Sequence, residues 1–173
     1  MNEYYHYVSP ILNCEEFKKR KLYQHHENDS VYSHSIKVSI LAYKIAKFFR
    51  LDSYSVAIGS LLHDFYDEPW QIEGNLVERK NKNILRGHGF IHANQALKNS
   101  RIYFPELMNN KVEDIIKKHM FPLNVLPPSY LESWIVTLCD KYVSLDIFKD
   151  PKQIPKYIGI KKLPKFITVK KSG

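Results

Sequence analysis

The adjacent His63 and Asp64 are the residues of this sequence best suited to metal chemistry. They follow an apolar run, Ile58 to Leu62, and an ionised carboxylate at the end of such a run is costly to bury unless a cation or strong donors compensate its charge. Imidazole nitrogen and carboxylate oxygen together suit borderline divalent ions such as Mn, Fe, Co, Ni and Zn. The pair therefore predicts a divalent-metal site centred on these two residues.

His34 is a second candidate ligand. It follows Val31 by three residues and precedes Val38 by four, so on a helix its ring is directed toward the core. A buried histidine needs a partner. Taken alone, a hydrogen-bonded core histidine is the better interpretation of His34, and the same holds for His63 without its neighbouring carboxylate.

The elements that position these side chains are predicted to be helices, because apolar residues recur at spacings of three, four and seven. Sustained two-residue alternation is missing apart from a weak FITV near the C-terminus. Asp29 or Ser30 can cap the first long helix, and a long loop is predicted from Pro69 to Gly87. Helices are predicted over Val31 to Arg50, Asp52 to Leu62, His92 to Asn99, Lys111 to His119 and about Tyr130 to Phe148. The predicted fold class is all-α.

Length and composition predict one domain with a basic appendage. The chain has 173 residues, 44% of them hydrophobic, and a net charge of +8, but it has neither a membrane-spanning apolar stretch nor a signal peptide. We expect a soluble cytoplasmic protein with one domain over residues 1–150 and a basic C-terminal tail over 151–173. Cys14 and Cys139 form no CxxC pair, so neither a zinc ribbon nor a disulfide framework is indicated.

The order of the histidines and aspartates resembles that of the HD superfamily of metal-dependent phosphohydrolases. The segments that carry the resemblance are YSHSIKV, SLLHDF, HGFIHANQAL, IIKKHM and VTLCDKY. It covers about residues 22–148, and the chain is similar to small, stand-alone bacterial members of mostly unassigned substrate. The resemblance implies an HD-domain helical bundle with a metal site at its centre.

The resemblance also implies ligands for one or two divalent ions, drawn from Mn, Fe, Co, Ni, Zn or Mg. One ion would be held by four residues, which are His34, His63, Asp64 and Asp140. Asp64 would bridge to a second ion held by His119 and by His92 or His88. The two-ion version is the preferred one.

The choice between His88 and His92 turns on a family segment in which a histidine starts a helix. His92 suits a helix start because Ala93 and Ala96 follow it, whereas His88 would lie in the preceding loop. We favour His92 as the ligand. His88 would then contact the phosphoryl group or protonate the leaving oxygen.

Lys37 and Asp67 are further candidate catalytic residues. Lys37 shares a helical face with His34, and many relatives have a basic residue there that could meet a substrate phosphate; the alternative is a surface lysine. Asp67, or its neighbour Glu68, resembles an acidic residue that in nucleotidase-like relatives orients water or acts as acid and base; the alternative is a helix-terminal turn. Many HD enzymes have lysine at the Asp67 position, so this chain departs from those branches.

The resemblance implies an enzyme that hydrolyses a phosphomonoester or phosphodiester bond of a nucleotide or related small phosphorylated metabolite, with water activated at the metal centre. Two other classes stay open. One is a metal-containing nucleotide-binding or signalling module without turnover. The other is a nucleic-acid-binding protein that uses Tyr157 and Phe166 among the lysines of the tail; it is less favoured, because a solvated tail accounts for those lysines. Substrate identity and oligomeric state are not indicated.

Overall fold

Helices dominate the part of the chain that the computed structural model describes, which comprises residues 2–26, 29–67 and 84–144, without the side chains of 24–26, 29 and 84–90. The helices are α1 (Asn2–Asn13), α2 (Glu15–Lys18), α3 (Val31–Phe48), α4 (Ser53–Leu62), α5 (Ile84–Tyr103), α6 (Asn110–Lys118) and α7 (Leu131–Ser144). There are also two short 3₁₀ turns, at Lys19–Leu22 and Pro105–Leu107. Two very short strands, β1 (Gln24–His26) and β2 (Asp29–Ser30), pair antiparallel. The predicted all-α class is confirmed.

Side-chain caps determine where three of the helices begin. Ser30 accepts a hydrogen bond from the Ser33 amide at 3.2 Å, and the Ser33 hydroxyl accepts one from the Ser30 amide at 3.1 Å, forming a capping box at the start of α3. Asp52 caps α4 by accepting from the Ser55 amide at 3.0 Å, and Asn109 caps α6. These caps satisfy backbone donors that a helix start otherwise leaves unpaired, and the predicted capping role of Ser30 is confirmed.

Helix α4 lies at the centre of the fold. It packs against α1, α3, α6 and α7, and every residue of it except Tyr54 is buried. Gly59 allows the close approach of α6, because a Cβ at this position would lie 2.8 Å from Cγ2 of Ile115. Two apolar clusters flank α4, one built mainly with α1 and α5 and the other with α3, α6 and α7.

Helix α5 begins earlier than the sequence predicted. It starts at Ile84 instead of at His92, so His88 lies within a helix and not in the preceding loop, and His92 is two turns inside the helix instead of at its start. Gly87 and Gly89 each disfavour a helix interior by about 1 kcal/mol. Their poor helix propensity is why local composition does not predict a helix over these residues.

Several predictions concern residues outside the described ranges. These are Glu68, residues 69–83 of the predicted loop, the end of the last predicted helix at Phe148, the FITV segment and the tail 151–173. The end of the predicted loop, residues 84–87, is wrong, because these residues belong to α5. Helix α1 and the strand pair were not predicted from the sequence. Among the described residues, no helix is long and apolar enough to cross a membrane.

Candidate metal centre

Five helices bring the predicted ligands to one place at the centre of the bundle. His34 lies in the first turn of α3, His63 directly follows α4, His119 directly follows α6, and Asp140 lies on α7. Together with Asp64 these side chains are buried. The sixth predicted ligand, His92 of α5, has a side chain only 14% exposed. The described part of the chain therefore assembles all six predicted ligands.

The six side chains form two groups of three. In the first, His34, His63 and Asp140 each offer one ligand atom, and these atoms all lie within 4.8 Å of one another. Oδ1 of Asp140 lies 3.0 Å from Nε2 of His34 and 3.5 Å from Nε2 of His63. Two imidazole nitrogens and one carboxylate oxygen form a donor set that suits a borderline divalent ion.

The second group consists of Asp64, His92 and His119, whose ligand atoms also lie within 4.8 Å of one another. Oδ1 of Asp64 lies 2.7 Å from Nε2 of His92 and 3.5 Å from Nε2 of His119. This group again combines two imidazoles with one carboxylate. The structure therefore offers donors for two ions.

Asp64 connects the two groups. While its Oδ1 faces the second group, its Oδ2 lies 3.4 Å from Nε2 of His63 and 4.0 Å from Nε2 of His34 in the first. A carboxylate with one oxygen toward each group is arranged to bridge two cations, as the resemblance implied for this residue.

The backbone holds two of the rings with one nitrogen directed at the centre. Nδ1 of His63 donates to the carbonyl oxygen of Ser60 at 2.7 Å, and Nδ1 of His119 donates to that of Ile116 at 2.7 Å. A carbonyl can only accept, so each Nδ1 carries a proton, and Nε2 is the nitrogen that presents a lone pair whenever the ring is neutral. Both Nε2 atoms are buried and have no hydrogen-bond partner in the described part of the chain. A buried nitrogen lone pair without a donor fits a metal ligand.

The electrostatics of the centre also favour a cation. Burial raises the pKa of the Asp64 and Asp140 carboxyls, but the surrounding histidines outweigh this effect and hold both pKa values well below their usual range. Burial lowers the pKa of His63, yet Asp64 and Asp140 more than compensate and raise it to about 9. Burial and the nearby His63 lower the pKa of His119 to about 4. Two buried anions therefore attract positive charge, and a divalent ion would supply it.

Lys37, Asp67 and His88 are not members of the two groups of ligands. Lys37 is exposed on α3. The side chain of Asp67 is 48% exposed and is joined to Arg20 and Asn99, and no described hydrogen bond or ion pair links it to a ligand. His88 lies in α5, but its side chain is outside the described residues, so its catalytic role stays a prediction.

Sequence reasoning missed several residues that support the centre. The Tyr66 ring packs against the His92 ring, with centroids 4.2 Å apart, and Lys141 donates to the carbonyl of His119 at 3.2 Å. Arg20 and Asn99 hold the segment that follows Asp64. Of these residues, only Asn99 could have been placed near the centre from the sequence, because it follows His92 by seven residues, or two helical turns, and so shares its helical face.

Fold and site together define a helical protein with two adjoining groups of histidine and aspartate that could hold divalent metal. The family model of the HD domain matches residues 31–145, a span that includes all six ligands. The chain therefore belongs to the HD domain family, whose members are generally metal-dependent phosphohydrolases. No curated protein and no solved structure matches it.

Proposed function

We propose that this protein is a phosphohydrolase that uses two divalent ions and acts on a nucleotide or a related small phosphorylated metabolite. The observation that carries the proposal is the Asp64 carboxylate, which directs one oxygen toward each of two groups of buried ligands. Paired divalent ions at such a centre lower the pKa of water and offset charge on a phosphoryl group. Membership of the HD domain family supports the same reaction class.

The residues of the chain divide the work as follows. His34, His63 and Asp140 would hold one ion, and His92 and His119 the other, with Asp64 shared between them. The backbone carbonyls behind His63 and His119 keep these rings oriented without any reorganisation during turnover. We assign Asp67 and His88 to proton transfer and Lys37 to the substrate phosphate.

The test is hydrolysis by the full chain of a panel of nucleoside monophosphates, triphosphates and dinucleotides, each with Mn, Ni, Zn or Mg. We expect phosphate release by the wild type and a loss of at least 100-fold in Asp64→Asn, which keeps the size of the side chain but removes its charge. Glu106→Gln is the matched control, because Glu106 is exposed in the 3₁₀ turn Pro105–Leu107, which carries none of the candidate ligands. Normal folding of Asp64→Asn with undiminished hydrolysis would refute the proposal.

A metal-containing binding module is the second candidate function, and the same panel separates it from the enzyme. Metal-dependent thermal stabilisation by a nucleotide, without any product after prolonged incubation, would favour binding without turnover. Loss of that stabilisation in Asp64→Asn would place the bound nucleotide at the same centre.

A further inference from the structure

The segment that follows Asp64 is held by side chains from two other parts of the fold. The Arg20 guanidinium, from the 3₁₀ turn Lys19–Leu22, places Nη2 3.1 Å from Oδ1 of Asp67. Asn99 of α5 donates to the same oxygen at 2.7 Å and to the carbonyl of Phe65 at 3.0 Å. We call Arg20 and Asn99 the Asp67 clasp.

Arg20 is buried at a cost that only specific contacts can offset. Its side chain is 0% exposed, and burying a guanidinium without compensating partners is strongly unfavourable. Its compensation comes from the carboxylate of Glu16 at 3.0 Å, the carbonyl oxygen of Glu16, the ring of Tyr23, Asp67, and the ring of Phe65, whose centroid lies 4.2 Å from the guanidinium carbon. The contacts to Phe65 and Asp67 are to the segment after Asp64, so Arg20 links that segment to the 3₁₀ turn.

Asn99 acts from the helix that carries His92. The two residues are seven positions apart and lie on the same face of α5, two turns from each other. His92 contacts Asp64 at 2.7 Å, while Asn99 contacts Phe65 and Asp67. One face of α5 therefore holds the segment at both ends, and the position of Asn99 is coupled to that of His92 relative to Asp64.

The two groups of ligands depend differently on these contacts. His34, His63 and Asp140 come from α3, α4 and α7, which pack directly against one another. The second group needs His92 from α5 to meet Asp64. Weaker contacts between α5 and the segment after Asp64 should therefore displace the ligands of the second group more than those of the first.

We propose that Arg20 and Asn99 are positioning residues for the second ion: they hold the Asp64 to Asp67 segment against α5 so that Asp64, His92 and His119 converge. This inference deepens the proposed two-ion function and rests on it only for the presence of a second ion. The clasp also holds Asp67 by one carboxylate oxygen while half of its side chain stays exposed.

The test is a titration of metal-free full-length chain with Mn²⁺, with bound ions counted and their dissociation constants measured by electron paramagnetic resonance. Asn99→Leu removes the donor at similar size, and Arg20→Lys keeps the charge but loses the fork geometry. Asn94→Leu is the matched control, because it makes the same substitution on the same helix at a residue outside the clasp. Circular dichroism establishes that each variant is folded.

We expect wild type and Asn94→Leu to bind two ions. Both clasp variants should bind the first ion with wild-type affinity and the second ion about 10- to 100-fold more weakly. A loss of this size is typical when residues that orient metal ligands are changed. Equal affinities for both ions in Asn99→Leu, or equal weakening of both ions, would overturn the proposal. Unfolding of both clasp variants would also overturn it, because the clasp would then be part of the general core.

Failure of this inference is distinguishable from failure of the proposed function, since the titration uses no substrate. If the wild type binds two ions but hydrolyses no nucleotide, the proposed hydrolase activity is refuted and the proposed role of Arg20 and Asn99 is not. If the wild type hydrolyses nucleotides and Asn99→Leu still binds both ions with wild-type affinity, the proposed role of Arg20 and Asn99 is refuted and the hydrolase activity is not. A wild type that binds a single ion would overturn the clasp and the two-ion form of the function together.

Discussion

The contact between Gly59 of α4 and Ile115 of α6 offers a direct test of how the metal centre is positioned. A Cβ at Gly59 would lie 2.8 Å from Cγ2 of Ile115 and 2.9 Å from its Cβ and Cδ1. Each residue precedes a ligand by four positions, because His63 follows Gly59 and His119 follows Ile115 by one helical turn. The rings of His63 and His119 are 4.9 Å apart between centroids. The substitution Gly59→Ala should therefore separate α4 from α6 and disturb both imidazoles.

The expected magnitude follows from the geometry. The shortest contact is about 0.6 Å inside the 3.4 Å at which ordinary van der Waals contact begins, and such overpacking typically costs about 1–3 kcal/mol. Replacing a helical glycine by alanine regains about 0.5–1 kcal/mol. Taking the middle of each range, we expect the free energy of unfolding to fall by about 1 kcal/mol net, which for a chain of this size lowers Tm by roughly 2–4 °C.

The assay is thermal unfolding of metal-free Gly59→Ala, Ile115→Ala and the double variant, followed by circular dichroism. Ile115→Ala removes two of the three crowded atoms, so the double variant should lose less stability than the sum of the two single variants. Wild-type stability in Gly59→Ala, together with additive losses in the double variant, would refute the close approach of α4 and α6.

Three further predictions concern the metal centre, the N-terminal cap of α3 and the Glu3 carboxylate of α1. Chelation should lower Tm and added Mn²⁺ should restore it, because Asp64 and Asp140 are buried anions that a cation would stabilise. At an ion concentration 100 times the Kd, bound Mn²⁺ should add about 2.7 kcal/mol to the free energy of unfolding. A Tm that chelator does not change would contradict metal binding. Ser30→Ala should lose about 1 kcal/mol in urea unfolding through loss of the α3 cap, with Ser30→Asp restoring most of it. For Glu3, hydrogen bonds from Tyr7 and two other side chains lower the pKa to about 2, so this carboxylate stabilises the protein above its unfolded pKa near 4.5 and the effect is lost as pH falls to about 2. Glu3→Gln should therefore be less stable than wild type at pH 7, with a difference that narrows between pH 4.5 and 2; a difference constant over that range would contradict this assignment.

Local sequence predicted several of the helices and nominated candidate metal ligands. Periodicity located α3, α4, α6 and the start of α7 to within a few residues, because an amphipathic helix needs its apolar face at fixed spacing whatever it packs against. The chemistry of His63 and Asp64 indicated metal, since a carboxylate after an apolar run requires compensating charge. The resemblance added the remaining ligands, and the structure brings those residues together.

Tertiary structure decided what depends on contacts between distant parts of the chain. The early start of α5 at Ile84 runs against the poor helix propensity of Gly87 and Gly89, so local composition did not reveal it. Arg20 carried no signal in the sequence, because its contact with Asp67 spans 47 residues. The sequence by itself thus nominated the candidate metal ligands, and the resemblance implied their division between two ions with Asp64 as the bridge. Only the packed helices show that the side chains of each group lie within ligand distance of one another, because distances between side chains are set by the fold and not by spacing along the chain.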